Sequence, residues 1–166
     1  IKFDIFDRVN RGGTRLNNQE MRNAIYQGEA TKLLERLKDG EDFKKATDYS
    51  IRDKVMKDRY VILRFIAFYL WKKGKLTQAN GELVEYKSDI DNFLGKTMEF
   101  LNSSDNKTLQ DIEKTFNFAM KNACNIFGQN GFRVSTYFNE DYKRAVNMAL
   151  FEVLPYLLSH KETEQY

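Results

Sequence analysis

Between Tyr60 and Trp71 the chain runs Y-V-I-L-R-F-I-A-F-Y-L-W, with Arg64 as its one charged side chain. A helix this apolar on every side has no face to give to water, so other elements must surround it. Asp58 reads as its N-cap and Gly74 as its stop, which bounds it at residues 59–73. The run is shorter than the ~20 residues that span a bilayer, so the expected surroundings are protein, with no membrane. The expected fold is all-α: an irregular bundle of about six to eight helices around 59–73, in one domain over residues 1–166. Arg64 then needs a partner, because an unpaired buried guanidinium is costly. The sequence leaves two readings: Arg64 pairs with a structural acid or lies on a narrow exposed strip, or it reaches a phosphate or the Glu20 carboxylate near a glycine-rich loop further upstream.

Helical periodicity supplies the neighbours. Residues 30–38 place Leu33, Leu34 and Leu37 on one face before Gly40, and Phe43, Ala46 and Tyr49 mark a short further turn. Ser88 reads as the cap of a helix reaching Leu101, with Ile90, Phe93, Leu94 and Met98 at helical spacing. Residues 108–127 form a longer amphipathic helix ended by Gly128, with Leu109, Ile112, Phe116, Met120 and Ala123 inward. A last helix is expected after Asn139, with Ala145, Val146, Ala149, Leu150 and Val153 in its buried stripe. Pro155 is expected to kink or end it. Residues 76–87 are polar, contain Asn80-Gly81, and read as an exposed loop.

The candidate chemistry lies in residues 3–28. Apolar Phe3, Ile5, Phe6 and Val9 predict a short helix that Asn10, Arg11, Gly12, Gly13 and Thr14 interrupt. Asn17 with Glu20 three residues on reads as a capping box for a second helix, and Gly28 as that helix's C′ residue. Paired glycines let backbone amides approach a ligand, and a helix start favours negative charge. Arg8, Arg11, Arg15 and Arg22 bring guanidinium groups, and Asn10, Gln19 and Asn23 bring amides. The pattern therefore reads as an anion site or, alternatively, as a helix–helix turn with solvated arginines.

The stretch F-D-R-V-N-R-G-G-T-R-L-N-N-Q-E-M-R-N-A, residues 6–24, resembles the F-x-R-x-N-x-G-G-x-x-L-x-x-x-E-x-R-N-A signature of a prokaryotic domain family. That family occurs in GmrSD-type modification-dependent restriction endonucleases, whose nucleotide-binding half is related to the ParB/sulfiredoxin fold. Residues 56–68, M-K-D-R-Y-V-I-L-R-F-I-A-F, are similar to the family's central helix. F-G-x-x-G-F-R from Phe127 and A-L-F-E-V-L from Ala149 are similar to its C-terminal part. The resemblance implies a helical module of a phage-defence protein in which the loop helps line a nucleotide phosphate site. Matched to the signature, Arg8 and Arg22 would meet phosphate charge, and Asn10 and Thr14 would donate hydrogen bonds. Gly12 and Gly13 would allow close approach, and Glu20 would orient an arginine or hold a metal ion. Arg64 is the candidate buried support. The family's D-G-Q-Q-R motif, implicated in NTP hydrolysis, is missing, and the chain begins at Ile1 inside the pattern. The expectation is a fragment that binds without catalysing. Its partner would be an N-terminal α/β half, and an NTP with Mg and DNA would serve the intact protein.

Composition limits the alternatives. One Cys and one His leave no zinc spacing, no intrachain disulfide and no HNH nuclease, and they fit a reducing cytoplasm. There is no Walker loop. A net charge of +3 is compatible with nucleotide or DNA without requiring either. Lys44, Lys45, Arg52, Lys54, Lys57 and Arg59 form a basic run, read as a phosphate-facing patch or a solvated surface. Asp89 and Asp91 read as solvated helix surface, and Cys124 as a core thiol.

Overall fold

The computed structural model describes residues 16–51, 53–133 and 145–159. Among them seven α-helices follow one another: α1 (Asn18–Ile25), α2 (Glu29–Lys38), α3 (Glu41–Ala46), α4 (Lys57–Lys72), α5 (Ile90–Ser103), α6 (Asn106–Phe127) and α7 (Leu150–Leu158). Short 3-10 turns occupy Lys54–Met56 and Gly128–Asn130. The fold is all-α, and the described residues pair as strands only in two isolated bridges, Thr77 with Leu83 and Arg133 with Val146.

The apolar helix takes the central place its composition demands. α4 packs against α1, α2, α5, α6 and α7. Its Val61, Ile62, Leu63, Phe65, Ile66, Ala67, Phe68 and Leu70 are all buried. Each large side chain so removed from water contributes roughly 1.5–3 kcal/mol, which makes α4 the thermodynamic centre of the bundle. At its end Gly74 turns left-handed at φ +62°. Lys75 N–H then reaches Leu70 O at 2.9 Å and Gly74 N–H reaches Trp71 O at 3.0 Å, so the last carbonyls are satisfied. Phe68, Trp71, Tyr86 and Phe93 form one ring cluster beside it, with centroids 5.0–6.3 Å apart.

Several expected boundaries are corrected. α4 starts at Lys57 behind a left-handed Met56, so Asp58 sits inside the first turn, 5% exposed. Its Oδ1 accepts from the Arg59 amide at 2.7 Å. Asp89, not Ser88, caps α5, accepting from Asn92 N–H. Gly28 is the N-cap of α2 rather than the C′ residue of α1. The Asn102 side chain explains the glycine. It accepts from Ala30 N–H at 2.8 Å, donates to Tyr26 O at 3.0 Å, and lies 2.7 Å from where a Cβ at Gly28 would stand.

Residues 76–87 are not a free loop. Leu76 and Val84 are 1% and 2% exposed, and Val84 N–H donates to Leu76 O at 2.9 Å, so two apolar anchors tie the excursion to the core. The last helix begins only at Leu150 among the described residues, and it continues through Pro155. Val146 lies in the bridge with Arg133, and Val153 is 59% exposed. The buried anchors are Phe151, stacked on Phe132 with centroids 3.9 Å apart, and Leu158. Docking of α7 on α4 and α6 holds both sides of the proline, so one missing amide donor does not stop the helix. The expected start at Asn139 lies outside the described residues.

Candidate functional site

The site is built on α1. Asn17 Oδ1 accepts from the amides of Gln19 and Glu20 at 2.8 and 3.0 Å, and Asn17 N–H donates to Glu20 Oε2 at 2.8 Å. The capping box read in the sequence is therefore formed, with two consequences. Glu20 spends Oε2 on a backbone amide, and two of the first-turn amides that would attract an anion, those of Gln19 and Glu20, are already covered.

Half a turn further, Arg22 is wholly buried, at 0% exposure. Its Nε–H donates to Gln19 Oε1 at 3.1 Å, and its Nη1 donates to Asp91 Oδ1 on α5 at 2.5 Å. The guanidinium also lies over the Tyr60 ring of α4, 5.8 Å from the centroid. The other carboxylate oxygen of Asp91 accepts from Asn18 Nδ2 at 2.7 Å. Asp91 thus clamps α1 to α5 through both of its oxygens.

Two buried donors at this point have no hydrogen-bond partner: Arg22 Nη2 and Gln19 Nε2. The orientation of Gln19 follows from chemistry. Arg22 Nε–H can only donate, so the amide oxygen must face it and the NH2 must face away. Asn23 Oδ1, one residue on, is also unpartnered. An unmet buried donor costs about 1–3 kcal/mol, so each of these two donors calls for an acceptor.

Gln19 and Arg22 form part of the wall of an open groove of about 680 Å³, which Val55, Lys57, Tyr60 and Asp91 also line. That volume lies within the roughly 300–1,000 Å³ common for small-molecule sites. The rim is strained: Val55 and Met56 have φ +63° and +55°, a conformation a β-branched residue rarely adopts. Asn17 Nδ2 holds the turn by donating to Val55 O at 2.8 Å. A larger groove of about 910 Å³ lies along residues 76–96 beside Trp71 and Leu83. None of its lining residues carries an unmet buried polar atom, so the smaller groove is the better candidate.

Arg64 settles on a structural acid. It pairs with Glu152 of α7 and donates to Tyr60 OH at 2.5 Å, rather than reaching Glu20. Arg59, expected in the basic run, is buried and meets Glu35 at 2.6 Å, Asp53, and Asp58 at 3.3 Å. The hydrogen bond from Arg59 holds the Asp53 carboxyl below its ordinary range, while burial pushes Asp58 up. Cys124 donates to Asp42 O at 3.6 Å, and burial raises its thiol.

Of the predicted site residues, Glu20 and Arg22 lie on one helix eight residues long, and Arg64 meets Arg22 only through the shared Tyr60 ring. Arg8, Asn10, Gly12, Gly13 and Thr14 lie outside the described residues, as do Arg52 and His160. Sequence reasoning placed Asp91 on solvated surface. Its contact with Arg22 spans 69 positions, and nothing local signals it. Among the described residues no group of three or more His, Cys, Asp or Glu could hold a metal ion, and no helix is long and apolar enough to cross a membrane. No family model, curated protein or solved structure matches this chain.

Proposed function

We propose that this chain is a helical binding module whose α1 groove takes the phosphate group of a nucleotide, in a GmrSD-like, ParB-related defence protein. One observation carries the binding reading. A buried guanidinium and a buried amide each hold an unmet N–H beside an open groove. The unmet atoms are both N–H donors, so the complementary ligand group accepts, as phosphate oxygens do. The signature resemblance adds the ligand class, since Arg22 falls on a position it matches. The module binds and does not hydrolyse. An NTP with Mg, DNA and an α/β half belong to the intact protein, whose place is the prokaryotic cytoplasm.

Titrating ATP and GTP with Mg into the chain and into Arg22→Met tests this. Loss of one charged hydrogen bond, about 1.5–3 kcal/mol, weakens binding by roughly ten- to a hundredfold. Equal affinity, or none in either protein, removes the proposal. An Arg8→Ala/Asn10→Ala pair extends the test to the loop.

A second reading is a helical scaffold. It draws on the complete burial of Arg22 and on the ion pairs Arg22–Asp91 and Arg64–Glu152, each of which joins two helices. Under this reading Arg22→Met lowers stability and no nucleotide binds. DNA contact is tested by a salt-dependent mobility shift, because phosphate contacts weaken as salt rises.

A further inference from the structure

As the groove stands, no ligand touches Arg22, because the residue is 0% exposed. One of the groups packed against it, beside Gln19 and Tyr60, is itself an anion. Asp91 reaches Arg22 Nη1 at 2.5 Å, while its own side chain stays 41% exposed to solvent. We infer that Asp91 is a built-in surrogate for the ligand's acidic group, and that an oxyanion enters the groove by exchanging with the Asp91 carboxylate. The inference rests on the anion-site reading and names the residue that sets its selectivity.

Three features support exchange rather than simple addition. The first is charge. With Asp91 in place the guanidinium is already neutralised, and a phosphate set beside it would face a like charge. The second is incompleteness. Asp91 satisfies Nη1 but leaves Arg22 Nη2 and Gln19 Nε2 unmet, and a phosphate has enough oxygens to meet all three donors. The third is freedom to leave. Asp91 sits in the first turn of α5 at the groove wall, and its other bond among the described residues is to the exposed Asn18 amide, which water replaces at little cost. The α1–α5 clamp therefore opens when the anion arrives, so ligand binding loosens one helix contact as it completes another.

The test uses inorganic phosphate, with acetate as the monovalent comparison, titrated into the chain, Asp91→Asn and Asp91→Asn/Arg22→Met. Asparagine keeps the shape and removes the competing charge. Asp91→Asn is expected to bind phosphate at least ten times more tightly than the unaltered chain, with the gain larger for phosphate than for acetate. The double variant is expected to lose it. A melting-temperature series in phosphate gives a second readout, in which Asp91→Asn rises more steeply than the unaltered chain. Binding in Asp91→Asn that is equal to or weaker than in the unaltered chain overturns the surrogate role and leaves the anion site standing. No phosphate binding in either protein overturns both.

Discussion

Arg59 and Arg22 are both buried arginines, yet they end in opposite conditions. Arg59 spends every nitrogen: Nε and Nη2 on Glu35, Nη1 on Asp53 and Asp58. Arg22 meets one carboxylate and one amide and keeps Nη2 unpartnered. The first is closed and joins α2, the 53–56 turn and α4; the second is buried in the wall of a groove with one donor unmet. Burial of an arginine therefore says little about its job, and the count of unmet donors says more. The same turn serves both, with Asp53 facing Arg59 and Val55 O facing Asn17.

The largest expected difference between the two is in stability. Arg59→Met leaves Asp58, 5% exposed, beside Asp53 and Glu35 without its hydrogen-bonded cation, and Lys38, paired with Glu35 and Asp53, does not replace that bond. The expected loss is about 3–5 kcal/mol, the cost of a buried charge without its partner. Arg22→Met frees Asp91 to turn into water and exchanges an unmet donor for an unmet Gln19 oxygen, so the expected loss is about 1 kcal/mol. Urea unfolding of both variants checks this. Equal losses would erase the distinction between a closed and an open site.

A smaller effect separates Arg64 from Arg22. Arg64 pairs with Glu152 across α4 and α7, with side chains 15% and 26% exposed. An Arg64→Met/Glu152→Gln double-mutant cycle is expected to give a coupling of about 1 kcal/mol, with nucleotide affinity unchanged. Altered affinity would draw Arg64 into the Arg22 site through the Tyr60 ring that both cations face.

The closed site also has a pH signature. Asp53 is held below its ordinary range by Arg59, so its contribution is present above the unfolded carboxyl range and is lost as pH falls through the folded value. Asp58 is raised by burial, so its contribution is fullest below its unfolded pKa and declines as pH rises through the folded one. Removing Asp53 by Asp53→Asn is expected to destabilise most above about pH 5, with the gap closing toward about pH 2. A constant gap would mean that the Arg59 bond does not hold the Asp53 charge.

These contrasts also show what sequence alone could supply. The capping box at Asn17 and Glu20, the Gly74 stop and the interior place of α4 were readable because each depends on residues within a turn or on uniform apolarity. The anchors Leu76 and Val84 were missed because they are two apolar residues in a polar stretch, and only their hydrogen bond reveals the tie. Pro155 misled because local chemistry says stop, while docking of α7 outweighs one absent donor. Arg22 was named, but its partner was not. Asp91 lies on another helix, and an aspartate in a first turn looks the same whether it faces water or a guanidinium. The 53–56 turn gave no signal at all, since valine is among the residues least expected at positive φ.

That turn supplies the smallest and most discriminating test. Val55 has φ +63° and ψ +23° and is 55% exposed, so it bears backbone strain without a packing reward. A left-handed L-residue costs roughly 1–2 kcal/mol, and glycine returns about 0.5–1 kcal/mol of that to unfolded-chain entropy. Val55→Gly is therefore expected to stabilise by about 0.5–1 kcal/mol, while the carbonyl still accepts from Asn17. If strain holds the rim of the Arg22 groove in shape, the same substitution weakens phosphate binding as the melting temperature rises. A gain in stability with binding intact would detach the strained turn from the open site and leave it as a connection that serves Arg59 alone.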